Sequence, residues 1–91
     1  MVNISYDPTK NKRNIQDRDL SFEAAVNFDF DTAQIHTDAR SDFGETRYVA
    51  LGFLGTRLHV LCFTETHDGI RVISFRKANQ REVQRYAKVN D

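Results

Sequence analysis

Apolar positions along this chain keep two different rhythms. Near the start, Tyr6-Asp7-Pro8-Thr9 reads as a helix opening: Asp7 can cap free amides, and Pro8 suits the first helical position. The spacing predicts a short helix to about Gln16, a polar break at Asp17-Arg18-Asp19, and a second helix opening at Ser21-Phe22-Glu23-Ala24. Phe22, Ala25 and Val26 would form its buried stripe. After Asp31 the rhythm shortens to that of strands. Ala33 to Thr37 and Thr46 to Phe53 are expected strands, separated by a polar loop from Asp38 to Glu45. Leu54-Gly55-Thr56-Arg57 makes a tight hairpin connection into Leu58–Thr64, the most apolar strand and the expected centre of a sheet. His67-Asp68-Gly69 turns the chain into a strand over Ile70–Arg76. Asn79-Gln80-Arg81-Glu82 fits a capping box opening a helix to about Lys88. Asn3 to Tyr6 can add a further strand. The pattern is an α+β sandwich: two short helices, an antiparallel meander and a final helix.

With 91 residues, 40% hydrophobic and 29% charged, the expectation is one small soluble domain with little margin in its core. Cys62 is the one cysteine, which excludes an internal disulfide and suits the cytoplasm. Asn3, Asp7, Lys10 and Lys12 arrive too early for a secretory leader. The longest apolar stretch, Val49 to Leu54, is far too short to cross a membrane. Net charge is zero, yet residues 1–45 hold five Lys and Arg against nine Asp and Glu, and residues 46–91 hold eight against four. Such a division suits one surface for a polyanion and another for a basic partner, unless folding intermixes the halves.

Little else announces chemistry. His36, His59 and His67 lie far apart, with no cysteine or carboxylate at ligand spacing, so no metal is expected. Cys62, between Leu61 and Phe63, reads as core. No glycine-rich phosphate loop is present. The arginines are more informative. Arg47, Arg71 and Arg76 fall on or at the end of expected strands, and guanidinium groups pair bidentately with phosphate. Strict alternation sets Arg71 and Arg76 on opposite faces, so their convergence requires a bulge near Ser74 or an early end to the strand. The plain alternative makes them rim residues paired with Glu65 or Asp42. Lys10, Lys12 and Arg13 form a basic turn of the first helix, and Tyr86 would be half-buried with its hydroxyl within reach of an arginine.

Taken together, Tyr6-Asp7-Pro8-Thr9-Lys10, Asn14, Phe22-Glu23-Ala24-Ala25, Asp38-Ala39-Arg40, Phe43-Gly44-Glu45-Thr46-Arg47-Tyr48, Gly52, Phe63-Thr64, Ile70 to Ala78, Glu82 and Tyr86 resemble the BrnT family of type II toxin–antitoxin toxins. The resemblance implies a RelE-like fold: a small, twisted antiparallel sheet with two N-terminal helices and one C-terminal helix. It implies a metal-independent endoribonuclease that needs no cofactor and inhibits translation. Its partner would be a BrnA-like antitoxin with a ribbon-helix-helix domain, in a heterotetramer that touches operator DNA through the antitoxin. By position, Glu45, Arg47, Arg71 and Arg76 match the family's charged segments, with Lys10, Lys77, Arg81 and Tyr86 as RNA contacts. Arg18 stands where the family usually has the histidine of Lys-His-Gly, and Asp19 stands for the glycine. Arginine cannot trade a proton as histidine can, so Arg18 would supply charge alone. Asp19 in place of glycine argues for a different turn. Expected chemistry is attack of the 2′-hydroxyl on the adjacent phosphate, with the arginines stabilising the transition state and Glu45 as the candidate base. A second reading is a degenerate toxin that only binds antitoxin or RNA. A free-standing DNA-binding regulator lacks a recognisable helix-turn-helix.

Overall fold

A computed structural model describes residues 3–38 and 45–89. Strand β1 (Asn3–Tyr6) leads into helix α1 (Pro8–Arg18), a 3₁₀ helix (Phe22–Asn27), and strands β2 (Gln34–Thr37), β3 (Arg47–Leu54), β4 (Arg57–Glu65) and β5 (Gly69–Lys77). Helix α2 (Gln80–Val89) closes the order. The five strands form one sheet in the order β1-β5-β4-β3-β2, with β4 at its centre. Residues 39–44, including Arg40, Asp42, Phe43 and Gly44, lie outside the described residues, and with them most of the expected polar loop.

Local chemistry accounts for the boundaries. The Asp7 carboxylate accepts from the Thr9 amide at 2.8 Å, and Pro8 takes the first turn, where its missing N–H costs nothing. Asn79 and Glu82 exchange backbone and side-chain hydrogen bonds at 2.9 Å each way, the expected capping box. The β3–β4 hairpin turns at Gly55, whose φ of 64° is one that glycine adopts without strain.

Four expectations are corrected. The sheet is mixed, because β1 runs parallel to β5 while the other pairings are antiparallel. The second N-terminal element is a 3₁₀ helix rather than an α-helix. Its buried residues are Phe22 and Ala25; Val26 is 51% exposed, because three residues per turn, rather than 3.6, swing it off the buried stripe. Asp19 does not avoid the backbone angles that glycine favours: it caps α1 at φ 53°, ψ 39°, in the left-handed region, with its amide bonded to the Ile15 carbonyl. Aspartate is among the few residues that tolerate this region.

Each face of the sheet holds a core. Phe22, Ala25 and Phe28 from the first half of the chain pack with Ala50, Leu61, Phe63, Ile70, Val72 and Phe75. On the opposite face α2 lays Tyr86 against Leu51, Leu58, Val60 and Ala78. The Tyr86 hydroxyl donates to the Thr32 carbonyl at 3.0 Å and its ring stands edge-on to Phe53, so it is a core residue rather than a half-exposed one. His59 is likewise buried, 2.9 Å from the Arg57 carbonyl.

Candidate nucleic-acid interface

Strand β5 carries a bulge. Cys62 pairs with Ser74 and Phe63 with Val72, leaving Ile73 as the extra residue. Without it, alternation would put Val72 and Phe75 on opposite faces; both instead join the same core. The complementary consequence is that Arg71, Ser74 and Arg76 share the other face. The irregularity that the sequence reading required near Ser74 is therefore present, one residue earlier.

Pairing brings a further arginine onto that face. Arg47 lies opposite Thr64, and Thr64 opposite Arg71, so the two arginines flank a buried threonine across three strands. Two strand spacings separate their backbones by about 10 Å, and four ladder steps separate Arg71 from Arg76 by about 13 Å. These are stations along a surface rather than one tight cluster.

Half of β5 would be an open edge, since β1 pairs only with Gly69–Val72. Helix α1 lies beside that remainder, and Asn14 attaches it. The buried Asn14 amide donates to the Phe75 carbonyl at 3.0 Å and to the Leu20 carbonyl at 2.8 Å, while its oxygen accepts from Arg18 Nη1 at 2.6 Å. One side chain thus ties helix to strand, fixes the turn after the helix, and aims Arg18. Asn11 continues the attachment by accepting from the Phe22 amide at 2.8 Å.

Arg18 consequently stands beside the end of β5. Arg18, Leu20, Arg76 and Lys77 line a depression of about 280 Å³. Arg18 also lines an adjoining one of about 160 Å³ with Lys10, Arg13, Asp17, Ile73 and Ser74 among its walls. Together the two present five cations and the single carboxylate of Asp17. Arg76 is already engaged: its Nη1 and Nη2 donate to the two oxygens of Glu82 at 2.8 and 2.9 Å. The guanidinium holds the Glu82 carboxyl down to about 2, aided by the Asn79 amide and against the opposing effect of burial, and the same bond raises the Arg76 pKa. Glu82, not Glu65, is therefore the rim partner of Arg76; Glu65 hydrogen-bonds Tyr48 instead. Asp42 lies outside the described residues.

The expected site residues thus divide. Arg18, Arg76 and Lys77 meet at one depression, with Lys10 at the next. Arg47 and Arg71 lie further along the same sheet face. Glu45 is exposed two residues before β3, about 20 Å from the Arg18–Arg76 depression by strand geometry. Arg81 is exposed on α2, and Tyr86 is turned into the core. Asn14 and Glu82 were not expected as site residues. Asn14 had one legible signal: asparagine is a weak helix former, so its place inside α1 called for a tertiary reason. Among the described residues no three His, Cys, Asp or Glu side chains gather as metal ligands. No helix among them is long and apolar enough to cross a membrane.

Comparison with curated proteins gives no match. Among solved structures, the ribonuclease toxin BrnT of Brucella abortus, determined at 1.1 Å, is similar over 88% of this chain and 100% of that one, with a TM-score of 0.67 and 25% identity. The family model for BrnT, ribonuclease toxin of type II toxin–antitoxin systems, matches residues 6–82. With most of its length, from β1 into α2, matched in this way, the chain belongs to the BrnT family of ribonuclease toxins.

Proposed function

We propose that this chain is a cytoplasmic, metal-independent endoribonuclease, folded as one RelE-like domain, which blocks translation until a cognate antitoxin neutralises it. The observation that carries the reading is the meeting of Arg18, Arg76 and Lys77 at one depression, from elements almost sixty residues apart. Fixed cations there would hold an RNA phosphate and offset the extra negative charge of a phosphorane transition state. Lys10 and Arg13 on one side, with Arg71 and Arg47 on the other, would carry the neighbouring phosphates.

In the reaction, the 2′-oxygen bonds to phosphorus, the 5′-oxygen leaves with a proton, and a 2′,3′-cyclic phosphate remains. Arg18 contributes charge and no proton transfer. The one carboxylate lining either depression is Asp17, so the 2′-proton passes to it or to water. Glu45 would serve as base only for a phosphate held at the Arg47–Arg71 end. Glu82 is too weak a base while Arg76 holds it. Catalysis then rests on electrostatics and in-line orientation. The antitoxin, we propose, is BrnA-like with a ribbon-helix-helix domain, and the two form a heterotetramer that meets operator DNA through the antitoxin.

Labelled RNA incubated with the purified protein in EDTA tests the reading. Cleavage to products ending in a cyclic phosphate, reduced at least tenfold by Arg18→Ala and by Lys77→Ala, is the expected result. Products bearing 5′-phosphates and made only with magnesium would overturn it. One observation favours a second reading, a toxin that binds without cutting: the depression lined by Arg18, Leu20, Arg76 and Lys77 includes no histidine and no carboxylate. Activity absent in the natural chain and gained in Arg18→His would select it, as would expression without growth arrest.

A further inference from the structure

The two ends of the sheet carry opposite charge. From Ile70 to Lys88 the chain holds six Lys and Arg against Glu82 alone, and these residues build β5 and α2. From Asp19 to Ala39 it holds five Asp and Glu and no Lys or Arg, and this stretch contains β2, the far edge strand. Five acidic groups bracket that edge, with Arg47 the one cation among them: Asp29 and Asp31 precede β2, Asp38 follows it with its amide on the Arg47 carbonyl, Glu45 lies two residues before β3, and Glu65 ends β4. Folding intermixes the two halves of the chain yet sorts their charge, since Lys10, Arg13 and Arg18 of the first half join Arg76 and Lys77 beside β5.

Strand β2 has no strand on its outer side among the described residues. Its hydrogen-bonding phase follows from one contact. The Asp38 amide donates to the Arg47 carbonyl at 2.7 Å, marking a hydrogen-bonded pair. Alternation then turns the amides and carbonyls of Gln34 and His36 toward β3 and those of Ile35 and Thr37 outward. Natural edge strands are commonly guarded by lysine or proline; Gln34-Ile35-His36-Thr37 has neither. Ile35 is 46% exposed, and beside it Ile35, Tyr48, Phe63 and Glu65 line a depression of about 220 Å³. Edge, apolar socket and acidic surround occur together.

We infer that the β2 edge is the docking site for an extended segment of the antitoxin that alternates apolar residues with Lys or Arg. This rests on the family's need for such a partner. The segment would add a sixth strand, pairing its backbone with Ile35 and Thr37 and laying an apolar side chain over Thr37 into the socket. Its cations would meet Glu65 and the aspartates at either end of β2. Charge complementarity selects this occupant over RNA, which the acidic surround repels. The site lies across the sheet from the basic depressions, and its socket opens on the sheet face opposite Arg47 and Arg71, so antitoxin anchoring and RNA binding use separate surfaces.

The test measures affinity between the full chain and the antitoxin encoded beside its gene, for the natural protein, Thr37→Pro and Ile35→Lys. Proline removes one outward amide and leaves the β3 pairing intact, while lysine adds charge of the wrong sign at the socket. Each variant is expected to bind the antitoxin at least tenfold more weakly, with thermal unfolding and RNA affinity unchanged. Antitoxin affinity equal to that of the natural protein in both variants overturns the docking site alone. No complex with the natural protein overturns both the site and the family reading of its partner. A chain that dimerises without antitoxin and becomes monomeric in both variants assigns the edge to a second copy of itself, and also overturns the inference.

Discussion

Glu82 serves two structures with one carboxylate: it closes the capping box of α2 and receives both terminal nitrogens of Arg76. The second role has a pH signature. A carboxyl held near 2 in the folded chain, against an ordinary value of 4.5, stabilises the fold above about pH 4.5. That contribution fades as pH falls through the folded value. The guanidinium side is 38% exposed, so solvent screening reduces the contribution to about 1–2 kcal/mol. Urea titrations of the natural chain and Glu82→Gln are expected to differ by that amount at pH 7 and to converge between pH 5 and pH 2. A gap that stays constant to pH 2 would mean the carboxylate is not held by Arg76. The expectation about Asp19 failed at this same scale, since only backbone context decides whether an aspartate bends away from the left-handed region or accepts it. Here the Asp19 amide bond to the Ile15 carbonyl and the attachment of Leu20 to Asn14 settle the matter.

At the scale of elements, the attachment of α1 to β5 rests heavily on Asn14. Asn14→Ala leaves the carbonyls of Phe75 and Leu20 without that donor and Arg18 without its acceptor, an expected cost of about 2–3 kcal/mol in chemical denaturation. The same change should weaken RNA binding in the natural chain but add little in an Arg18→Ala background, if Asn14 acts on RNA through Arg18. Equal further losses in both backgrounds would make Asn14 structural only. Strands, hairpin and caps were legible because each depends on neighbours in sequence: Asp7-Pro8, Gly55, and Asn79 with Glu82. The parallel pairing of β1 was not, because a four-residue strand carries no mark of its partner's direction. Nor was the bulge at Ile73, although the arginine spacing showed that a shared face would require one. The depression was legible chiefly in its cations: Leu20, which lines it, looks like filler between charged residues, and Asn14, which aims Arg18, shows in the sequence only as an asparagine inside a helix.

The whole molecule has zero net charge, so any attraction for RNA must come from how charge is arranged rather than how much there is. The salt dependence of binding measures that arrangement. Five cations line the two depressions, but Glu82 offsets Arg76 and Asp17 offsets one more, leaving about three phosphate contacts. For a single strand short enough to span the depressions alone, without reaching Arg71 and Arg47, log affinity against log salt should then fall with a slope of about −2, at roughly −0.7 per contact. Lys77→Ala should make the slope shallower by about 0.7. Glu82→Gln frees Arg76 and should steepen it by a similar amount, while lowering stability, so one substitution moves affinity and folding in opposite directions. Reversing β2 charges, as in Asp31→Lys, should leave the slope unchanged, because that edge lies beyond a Debye length of about 10 Å from the depressions. A slope near zero in the natural chain would mean that RNA is not held by its phosphates here. An unchanged slope in both Lys77→Ala and Glu82→Gln would place the phosphates on another part of the surface.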